Sequence, residues 1–335
     1  MNKTSDILID SYQRNHNYLR ISLTEKCNLR CTYCMPAEGV PLSPSSNLMT
    51  AEEIYQIAQL FVSNGVNKIR LTGGEPLVRK DFSDIIMKLS SLKVSLAITT
   101  NAVNIDRYIK ILKESGVQII NVSLDTLNAD RFKKMTLKSS FEKVIKNLYL
   151  LIEEGFKVKV NIVLLKGEND TEIIDFIELT KALPISIRFI EFMPFDGNRW
   201  DRSKTVSFKD INHIISQFYG LEQIQKLEDA PNDTAKNFRI KNFKGSYAII
   251  STVTKPFCDS CNRLRLTANG KLRNCLFTEQ EADLLTAFRS GLPIEPIIKK
   301  AVLNKAAIRA GLETSAQFED PTHHKKNRSM ITIGG

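Results

Sequence analysis

The sequence predicts an α/β protein, a partial (β/α)6 TIM-type barrel with a smaller C-terminal α+β extension. Six short β-branched runs alternate with amphipathic stretches between residues 18 and 194. Strand–helix–strand repeats of this length form right-handed units around a parallel sheet. Near residue 200 the repeat gives way to polar, turn-rich sequence, so we divide the chain into 1–200 and 201–335. A complete barrel needs eight units, and the sequence displays six.

The six predicted strands are short and rich in β-branched residues. They are YLRISL (18–23), KIRLTG (68–73), SLAITTN (95–101), QIINVSLD (118–125), KVKVNIVLL (157–165) and SIRFIEFM (186–193). The first intervening helix has Thr50 three residues before Glu53 and ends at Gly65, a capping box and a glycine stop. The other helical stretches have the same apolar spacing, and they cover 81–92, 104–116, 141–155 and 170–183.

Two hairpins are predicted beyond residue 200. One turns at Lys244-Gly245 and the other at Asn269-Gly270, the latter a strong hairpin signal. Helices are expected over 281–291 and 295–306, followed by a polar tail that ends in two glycines.

Composition narrows the function. The 335 residues are 42% hydrophobic and 25% charged, as in an ordinary globular protein. No run of eighteen apolar residues and no secretory signal appears, so we expect a cytoplasmic protein without a membrane span. The net charge of +10 suits an anionic ligand, although a lysine-rich solvated surface would also produce it. No block of five like charges occurs, so we expect no nucleic-acid partner.

The first cysteine set follows the first predicted strand. Cys27, Cys31 and Cys34 have the spacing Cys-x3-Cys-x2-Cys. Three such thiolates can ligate three irons of a 4Fe-4S cluster and leave the fourth iron open to a small molecule. Structural zinc is the alternative, but zinc takes four ligands, and the nearest histidine, His16, precedes the strand.

The second cysteine set also lacks a fourth ligand. Cys258, Cys261 and Cys275 are spaced Cys-x2-Cys-x13-Cys. Half of a zinc ribbon is an open alternative. Because both cysteine sets lack a fourth protein ligand, a second cluster with an open iron is favoured. Arg263 and Arg265 alternate on a predicted strand, so both point to one face and suit a phosphate chain; solvated surface arginines are the other interpretation.

Four further cations stand inside predicted strands among apolar neighbours. They are Arg20, Arg70, Lys159 and Arg188. A charge within a barrel strand is costly unless it is paired or meets a ligand. A salt bridge, for example with Glu191, could account for any one of them, whereas a shared anionic ligand accounts for all four.

The first cysteine loop resembles that of the radical S-adenosylmethionine (SAM) superfamily, with the aromatic Tyr33 before the last cysteine. In that superfamily the open iron binds the amino and carboxylate groups of SAM. Gly73, Gly74, Glu75 and Pro76 are similar to the GGEP segment beside the SAM amino group.

The second set narrows the resemblance to the GTP 3′,8-cyclase family, over nearly the whole chain. FCDSCNRLRLTANGKLRNCLF, YLRISLT, RLTGGEPLVRKDF, INVSLDTL and IRFIEFMP carry it. The resemblance implies that the first three cysteines hold the SAM cluster and the last three a substrate cluster. It implies SAM contacts from Tyr33, Gly74, Ser123 and Met193. It implies contacts to GTP from Arg20, Arg70, Thr99, Lys159, Arg188, Arg263 and Arg265, with Lys68 as a further candidate.

Roles and partners follow from the same resemblance. Arg20, Lys159 and Arg188 are the expected catalytic residues, and the glycines at 334 and 335 reach back into the site. The cofactors are two 4Fe-4S clusters and SAM, and the reaction is radical cyclisation of GTP in molybdenum cofactor biosynthesis. A reductant protein such as flavodoxin or ferredoxin, and the cyclic pyranopterin monophosphate synthase that acts next, are the expected partners. A homodimer is left open.

Two other functions compete with this one. A radical SAM peptide or RNA maturase would also carry auxiliary cysteines, usually more than three. A zinc-dependent nucleic-acid-binding protein would hold zinc at the second set and lose affinity steeply with salt.

The chain departs from the family pattern at three places. Near the start, SYQRN replaces a more usual FGR. Ala102 follows ITTN where the family commonly has glycine, and MTLKSSFEKV lacks the glycine often found after its threonine. None of these changes removes a predicted ligand; Ala102 leaves the loop conformation above the sheet open.

Overall fold

The computed structural model describes residues 6–36, 38–324 and 327–334. All strands belong to one sheet, and the six predicted barrel strands are confirmed as β1 to β6. The strands are β1 (Tyr18–Ser22), β2 (Lys68–Thr72), β3 (Ser95–Thr100), β4 (Ile119–Ser123), β5 (Lys157–Leu164), β6 (Ser186–Glu191), β7 (Ile224–Lys226), β8 (Lys236–Ile240), β9 (Ser246–Ile250), β10 (Arg263–Leu266), β11 (Lys271–Arg273) and β12 (Ala282–Asp283).

Helices connect the successive parallel strands from β1 to β6, and further helices follow in the C-terminal region. They are α1 (Ala51–Ser63), α2 (Phe82–Ser90), α3 (Ile109–Glu114), α4 (Ala129–Thr136), α5 (Phe141–Glu153), α6 (Ile173–Ala182), α7 (Phe208–Tyr219), α8 (Leu284–Arg289), α9 (Glu295–Leu303), α10 (Ser315–Glu319) and α11 (Met330–Ile333). The predicted capping box of α1 is present, with Thr50 and Glu53 bonded reciprocally. Within the described residues, no helix has the length and apolar character needed to cross a membrane.

The sheet order extends the sequence prediction. It runs β12-β11-β10-β1-β2-β3-β4-β5-β6-β9-β8-β7. Strand β10 pairs parallel to β1 and β9 pairs parallel to β6, so eight contiguous strands are parallel. Both predicted hairpins are present, as β8–β9 and β10–β11. The start of the helix predicted over 281–291 is wrong, because Ala282–Asp283 pair with β11 and α8 begins at Leu284. The division into 1–200 and 201–335 stays a proposal.

Period-two alternation separates an apolar outer face from a polar inner face. Leu19 and Ile21 of β1 and Ile69 and Leu71 of β2 are fully buried against the helices. The intervening residues, which include Arg20 and Arg70, point to the opposite face. The barrel therefore presents its charged side chains to its interior.

Candidate active site

The two cysteine sets lie at opposite ends of the parallel strands. The first set occupies the loop after β1, at the carboxyl edge, where barrel active sites form. Cys258 and Cys261 precede β10, and Cys275 follows the antiparallel β11, so the second set lies at the amino edge. The polar inner face of the barrel runs between the two edges.

Paired glycines allow the loop after β2 to pack directly against the first cysteine loop. Gly74 donates to the Thr24 carbonyl at 2.8 Å, and Glu75 donates to the Lys26 carbonyl at 2.8 Å. A Cβ atom on Gly74 would lie 2.5 Å from the Lys26 oxygen, and one on Gly73 would lie 2.7 Å from the Thr24 oxygen. Only glycine fits this approach, which fixes the strand that leads into Cys27.

Glu75 anchors the end of the neighbouring strand instead of facing solvent. Its buried carboxylate accepts hydrogen bonds from Leu77 N at 3.0 Å, Thr100 Oγ1 at 2.7 Å and Asn101 N at 2.6 Å. Burial raises the pKa of Glu75 to about 7, against the effect of these hydrogen bonds. Asn101 in turn approaches Cys27, with its Nδ2 3.9 Å from Sγ.

The predicted SAM residues follow β1, β2, β4 and β6 at the carboxyl edge. Tyr33 donates its hydroxyl to Asp125 Oδ2 at 2.5 Å, and Val163 N donates to Asp125 Oδ1 at 2.8 Å. Burial raises the pKa of Asp125 to about 6. Ser123 ends β4, and Met193 packs beside the cluster of Phe195, Val253, Phe277, Phe318 and Ile333.

The thiols of the first set share one buried space. Burial raises the pKa of Cys27 to about 11 and that of Cys34 to about 12, and burial raises the pKa of Cys31 well above its usual range. The charge of a neighbouring cysteine contributes in the same direction for Cys31 and Cys34. Because thiolates ligate metals, a cationic group must compensate for this burial, and the iron of a cluster would provide that compensation.

The described part of the chain contains no three His, Cys, Asp or Glu side chains close enough to hold a single metal ion. A four-iron cluster places its ligands on separate irons, so three free, half-buried thiols on one loop fit it. The same donor chemistry holds at the second set.

The second set has a different electrostatic environment. Burial raises the pKa of Cys258. Burial acts the same way on Cys261, but Arg263 and Lys305 outweigh it and lower the Cys261 pKa to about 6. Arg309 N donates to Cys258 Sγ at 3.5 Å. This end of the barrel therefore stabilises a thiolate with cations.

Between the cysteine sets, the register aligns the predicted cations in rows across the inner face. Arg20 is paired with Arg70 on one side and Arg265 on the other, and Tyr18 is paired with Lys68 and Arg263. Farther around the barrel, Thr99, Asn121 and Lys159 form a second row, and Asn161 and Arg188 form a third.

These cations repel one another in a buried space. Burial is the main cause that lowers the pKa of Arg20 and of Arg188, in each case to about 10. The positive charge of Arg70 acts in the same direction on both. Burial and Arg188 lower the pKa of Lys159 to about 8. Burial lowers the pKa of Arg265 well below its usual range. An anionic ligand would relieve all of these costs at once.

The salt-bridge alternative does not account for the strand cations. Among the described residues, Arg70, Lys159, Arg188, Arg263 and Arg265 form no salt bridge, counting nitrogen–oxygen pairs within 4.0 Å. The buried Glu191 instead accepts from Phe208 N at 3.0 Å, Val253 N at 2.7 Å and Thr254 N at 2.9 Å, tying β6 to two loops.

Unsatisfied polar atoms line the same interior. In residues 6–36, 38–324 and 327–334, the buried atoms without a hydrogen-bond partner include Asn121 Oδ1, Asn161 Oδ1 and Arg188 Nε. Arg70 is better satisfied, since its Nη1 donates to Ile98 O at 3.1 Å and to Thr99 Oγ1 at 3.4 Å. Buried polar atoms are normally paired, so these orphans indicate a polar ligand.

The C-terminal segment returns to the barrel. Arg265 Nη1 donates to the Gly334 carbonyl at 2.7 Å. The segment thus contacts a predicted GTP ligand. Gly334 is placed as the sequence resemblance implied, and Gly335 lies outside the described residues.

Sequence reasoning missed Tyr18, Asp125 and Lys305. Tyr18 shares a strand face with Arg20 by simple alternation, so the period-two pattern could have found it. Asp125 follows β4 within the INVSLDTL segment, and its position after a parallel strand was the available signal. Lys305 had no local signal, because only the folded chain brings it to Cys261.

A partial barrel with a three-cysteine loop after its first strand defines a radical SAM protein. The model of the radical SAM superfamily matches residues 21–180, and that of Molybdenum Cofactor Synthesis C matches residues 185–310. The chain belongs to the GTP 3′,8-cyclase family, as its curated relatives show. It is 48% identical over 341 residues to "GTP 3',8-cyclase, mitochondrial" of Arabidopsis thaliana, covering 100% of this chain and 85% of the relative.

Other relatives agree on the family. The chain is 38% identical to the GTP 3′,8-cyclase of Listeria monocytogenes, covering 98% of this chain and 99% of that protein. It is 46% identical to molybdenum cofactor biosynthesis protein 1 of Mus musculus, covering 98% of this chain and 51% of the mouse protein, and so spans about half of that relative.

The fold also resembles a solved structure, Streptococcus suis SuiB bound to S-adenosylmethionine. The TM-score is 0.59 at 20% identity, with 83% of this chain and 67% of SuiB covered, which bears on the fold alone. The predicted fold class is confirmed. Members of the radical SAM superfamily work with SAM and an iron–sulfur cluster, so that part of the cofactor prediction is also confirmed.

Proposed function

We propose that this chain cyclises GTP to (8S)-3′,8-cyclo-7,8-dihydroguanosine 5′-triphosphate, the first step of molybdenum cofactor biosynthesis. The observation that carries the proposal is the cationic inner face between two cysteine sets. Among the described residues, the positive side chains of this face are not fully neutralised by nearby carboxylates. The face also contains buried polar atoms without a hydrogen-bond partner. A nucleoside triphosphate supplies the missing negative charge and hydrogen-bond partners.

The residues at the carboxyl edge of the barrel would bind the first cluster and SAM. Cys27, Cys31 and Cys34 would hold the first cluster, and Tyr33, Gly74, Ser123 and Met193 would line the SAM site. The cluster and SAM would supply a 5′-deoxyadenosyl radical that takes the ribose 3′ hydrogen as 5′-deoxyadenosine. The C3′ radical would then bond to guanine C8, and one further electron, from the low-potential reductant, with a proton would complete the cyclised isomer of GTP.

At the amino edge, Cys258, Cys261 and Cys275 would hold a second cluster, with an open iron for guanine. Arg263 and Arg265 start β10 beside this set, so their guanidiniums would bind the triphosphate in a bidentate manner. Arg20, Arg70, Thr99, Lys159 and Arg188 would fix the sugar and phosphates between the two ends. Such positioning would make the hydrogen transfer an effectively intramolecular event.

The remaining partners are part of the same proposal. A low-potential protein such as flavodoxin or ferredoxin would supply electrons, and cyclic pyranopterin monophosphate synthase would consume the product. The cytoplasmic location and the oligomeric state stay predictions.

The proposal is tested with GTP deuterated at the ribose 3′ position. Anaerobically reconstituted protein receives this GTP, SAM and dithionite, and the 5′-deoxyadenosine formed is analysed by mass spectrometry. We expect deuterium in the 5′-deoxyadenosine from 3′-labelled GTP and none from 2′-labelled GTP, together with a cyclised isomer of GTP. SAM cleavage without label transfer, or without GTP consumption, would contradict the proposal.

A charge-removal variant tests the GTP site itself. Arg263→Ala should weaken GTP binding by about tenfold or more, because a charge-assisted contact to phosphate is lost. SAM cleavage should persist. The matched control is Arg107→Ala, which removes an exposed arginine that lies outside the strands of the inner face. Equal GTP dissociation constants in the two variants would remove Arg263 from the site.

A further inference from the structure

Lys305 is a buried cation at the second cysteine set. It follows α9, and its side chain is 4% exposed. Its Nζ lies 3.3 Å from Cys261 Sγ and 3.0 Å from the Arg263 carbonyl oxygen. Lys305 thus donates two hydrogen bonds at the amino edge of β10, one of them to a proposed cluster ligand.

Sulfur is the negative group that compensates for this burial. Among the described residues no carboxylate lies within 4.0 Å of Lys305. The charged groups that act on it are Cys261 and Cys275, which favour its charge, and Arg263, which opposes it. His16 faces it as well, and its own protonation is disfavoured by burial and by Lys305. A buried ammonium without a partner would be expensive, so a thiolate at Cys261 is the natural counter-charge.

A separate network holds the lysine segment in place. Arg14 donates to Cys258 O at 2.9 Å, Ala306 O at 2.8 Å and Ala307 O at 2.8 Å. Asp10 fixes Arg14 through its Nε at 2.6 Å. The segment after Lys305 and the loop that carries Cys258 are therefore tied to one guanidinium, and Nζ is held beside Cys261.

We propose that Lys305 is a positioning residue of the second iron–sulfur cluster, donating an N–H···S hydrogen bond to the Cys261 thiolate and raising the reduction potential of that cluster. This inference rests on the proposed second cluster. One-electron reduction adds one negative charge to a cluster, and a fixed ammonium beside a ligand sulfur stabilises that charge. Hydrogen bonds to the sulfurs and net charge are the protein's means of setting such potentials.

The test is a redox titration of the second cluster in the full chain, followed by electron paramagnetic resonance. Cys27, Cys31 and Cys34 are replaced by alanine in every sample so that the signal comes from one cluster. Lys305→Met keeps the length of the side chain and removes its charge and donors. Lys300→Met on α9 removes an exposed lysine and is the matched control.

Lys305→Met should lower the equilibrium constant for reduction by about tenfold, which is about 59 mV for a one-electron couple. Lys305→Arg retains charge and donors and should restore most of the loss. An unchanged potential in Lys305→Met with full iron content would overturn the proposal.

Iron content covers the case in which the cluster is lost. Loss of iron in Lys305→Met but not in Lys305→Arg supports the positioning role, and equal loss in both overturns it. The parent sample separates this inference from the proposed function. If the parent itself binds no iron at the second set, the second cluster fails before Lys305 is tested.

Discussion

At the scale of single residues, Tyr18 joins the cation rows. Its Oη accepts from Arg70 Nε at 2.6 Å, and Lys68 Nζ lies 4.8 Å from the ring centroid. Burial raises the pKa of Tyr18, but the charges of Arg70, Arg20 and Lys68 outweigh burial and lower the pKa to about 7. The free protein therefore gains a phenolate in its cation cluster as the pH rises above neutrality.

This phenolate predicts the pH dependence of GTP binding. A triphosphate and a phenolate compete for the same cations, so GTP binds the protonated tyrosine better. Affinity in the parent protein should fall as pH rises above about 7, approaching about tenfold per pH unit. Tyr18→Phe should remove this component, which dissociation constants measured between pH 6 and pH 9 would reveal.

Two other groups titrate in both the parent protein and Tyr18→Phe, so their effects cancel when the GTP affinities of the two proteins are compared. Lys159, with its pKa lowered to about 8, loses charge over the same range, and the γ-phosphate of GTP also ionises. The difference between parent and Tyr18→Phe isolates the phenol. Superimposable pH profiles would show that Tyr18 does not ionise beside the ligand.

At the residue scale, a sequence can indicate candidate residues where charged side chains stand among apolar neighbours within predicted strands. The cations of β1, β2, β5 and β6 were recognisable because charge among apolar neighbours is unusual. Lys305 was not recognisable, since its partner Cys261 lies 44 positions earlier and the contact depends on the packing of α9. Long-range contacts of this kind leave no periodic trace in the chain.

At the scale of elements, the residue after the short helix α11 packs against the carboxyl ends of β1 and β2. Gly334 has φ +90°, and a Cβ there would lie 2.7 Å from Thr72 Oγ1 and 2.8 Å from Ser22 Cβ. Its carbonyl accepts from Arg265. The tail therefore depends on glycine for both conformation and space.

Gly334→Ala should push the tail away from β1 and β2 and break its contact with Arg265. Because small displacements of positioning groups are costly, cyclisation should fall by about tenfold or more while iron content stays unchanged. The rate is measured as cyclised product per reconstituted chain.

Gly116→Ala is the control for backbone strain alone, with φ +71° and no atom within 4 Å of the added Cβ. It should retain the parent rate. If both variants cyclise GTP at the parent rate, the tail has no part in positioning.

Two of the family departures coincide with left-handed backbone. Ala102 has φ 60° and Leu137 has φ 54°, the region where glycine is favoured. Leu137 ends α4 in that conformation. Both loops therefore hold a non-glycine residue in a left-handed conformation, at a cost in local backbone strain.

At the scale of the whole molecule, the sequence predicted the barrel but not its flanks. Strands β1 to β6 and both hairpins follow from local alternation and turn signals. The parallel pairing of β10 with β1 and β9 with β6 joins strands far apart in sequence, so no local pattern reveals it. This pairing brings the second cysteine set to the amino edge and completes the cation rows with Arg263 and Arg265.

We propose that the two cysteine sets, at opposite ends of one barrel, hold two clusters. The first cluster binds SAM and the second binds GTP. Two variants separate them: one with alanine at all three cysteines of the first set, and one with alanine at all three of the second. Each should retain about four irons, against about eight in the parent.

The deciding measurement is electron paramagnetic resonance of both variants after anaerobic reconstitution and reduction, with SAM or GTP added in turn. We expect SAM alone to alter the spectrum when only the first set remains, and GTP alone to alter it when only the second set remains. Zinc in place of iron at the second set, or a spectrum there that GTP leaves unchanged, would show that the second set does not hold a GTP-binding cluster.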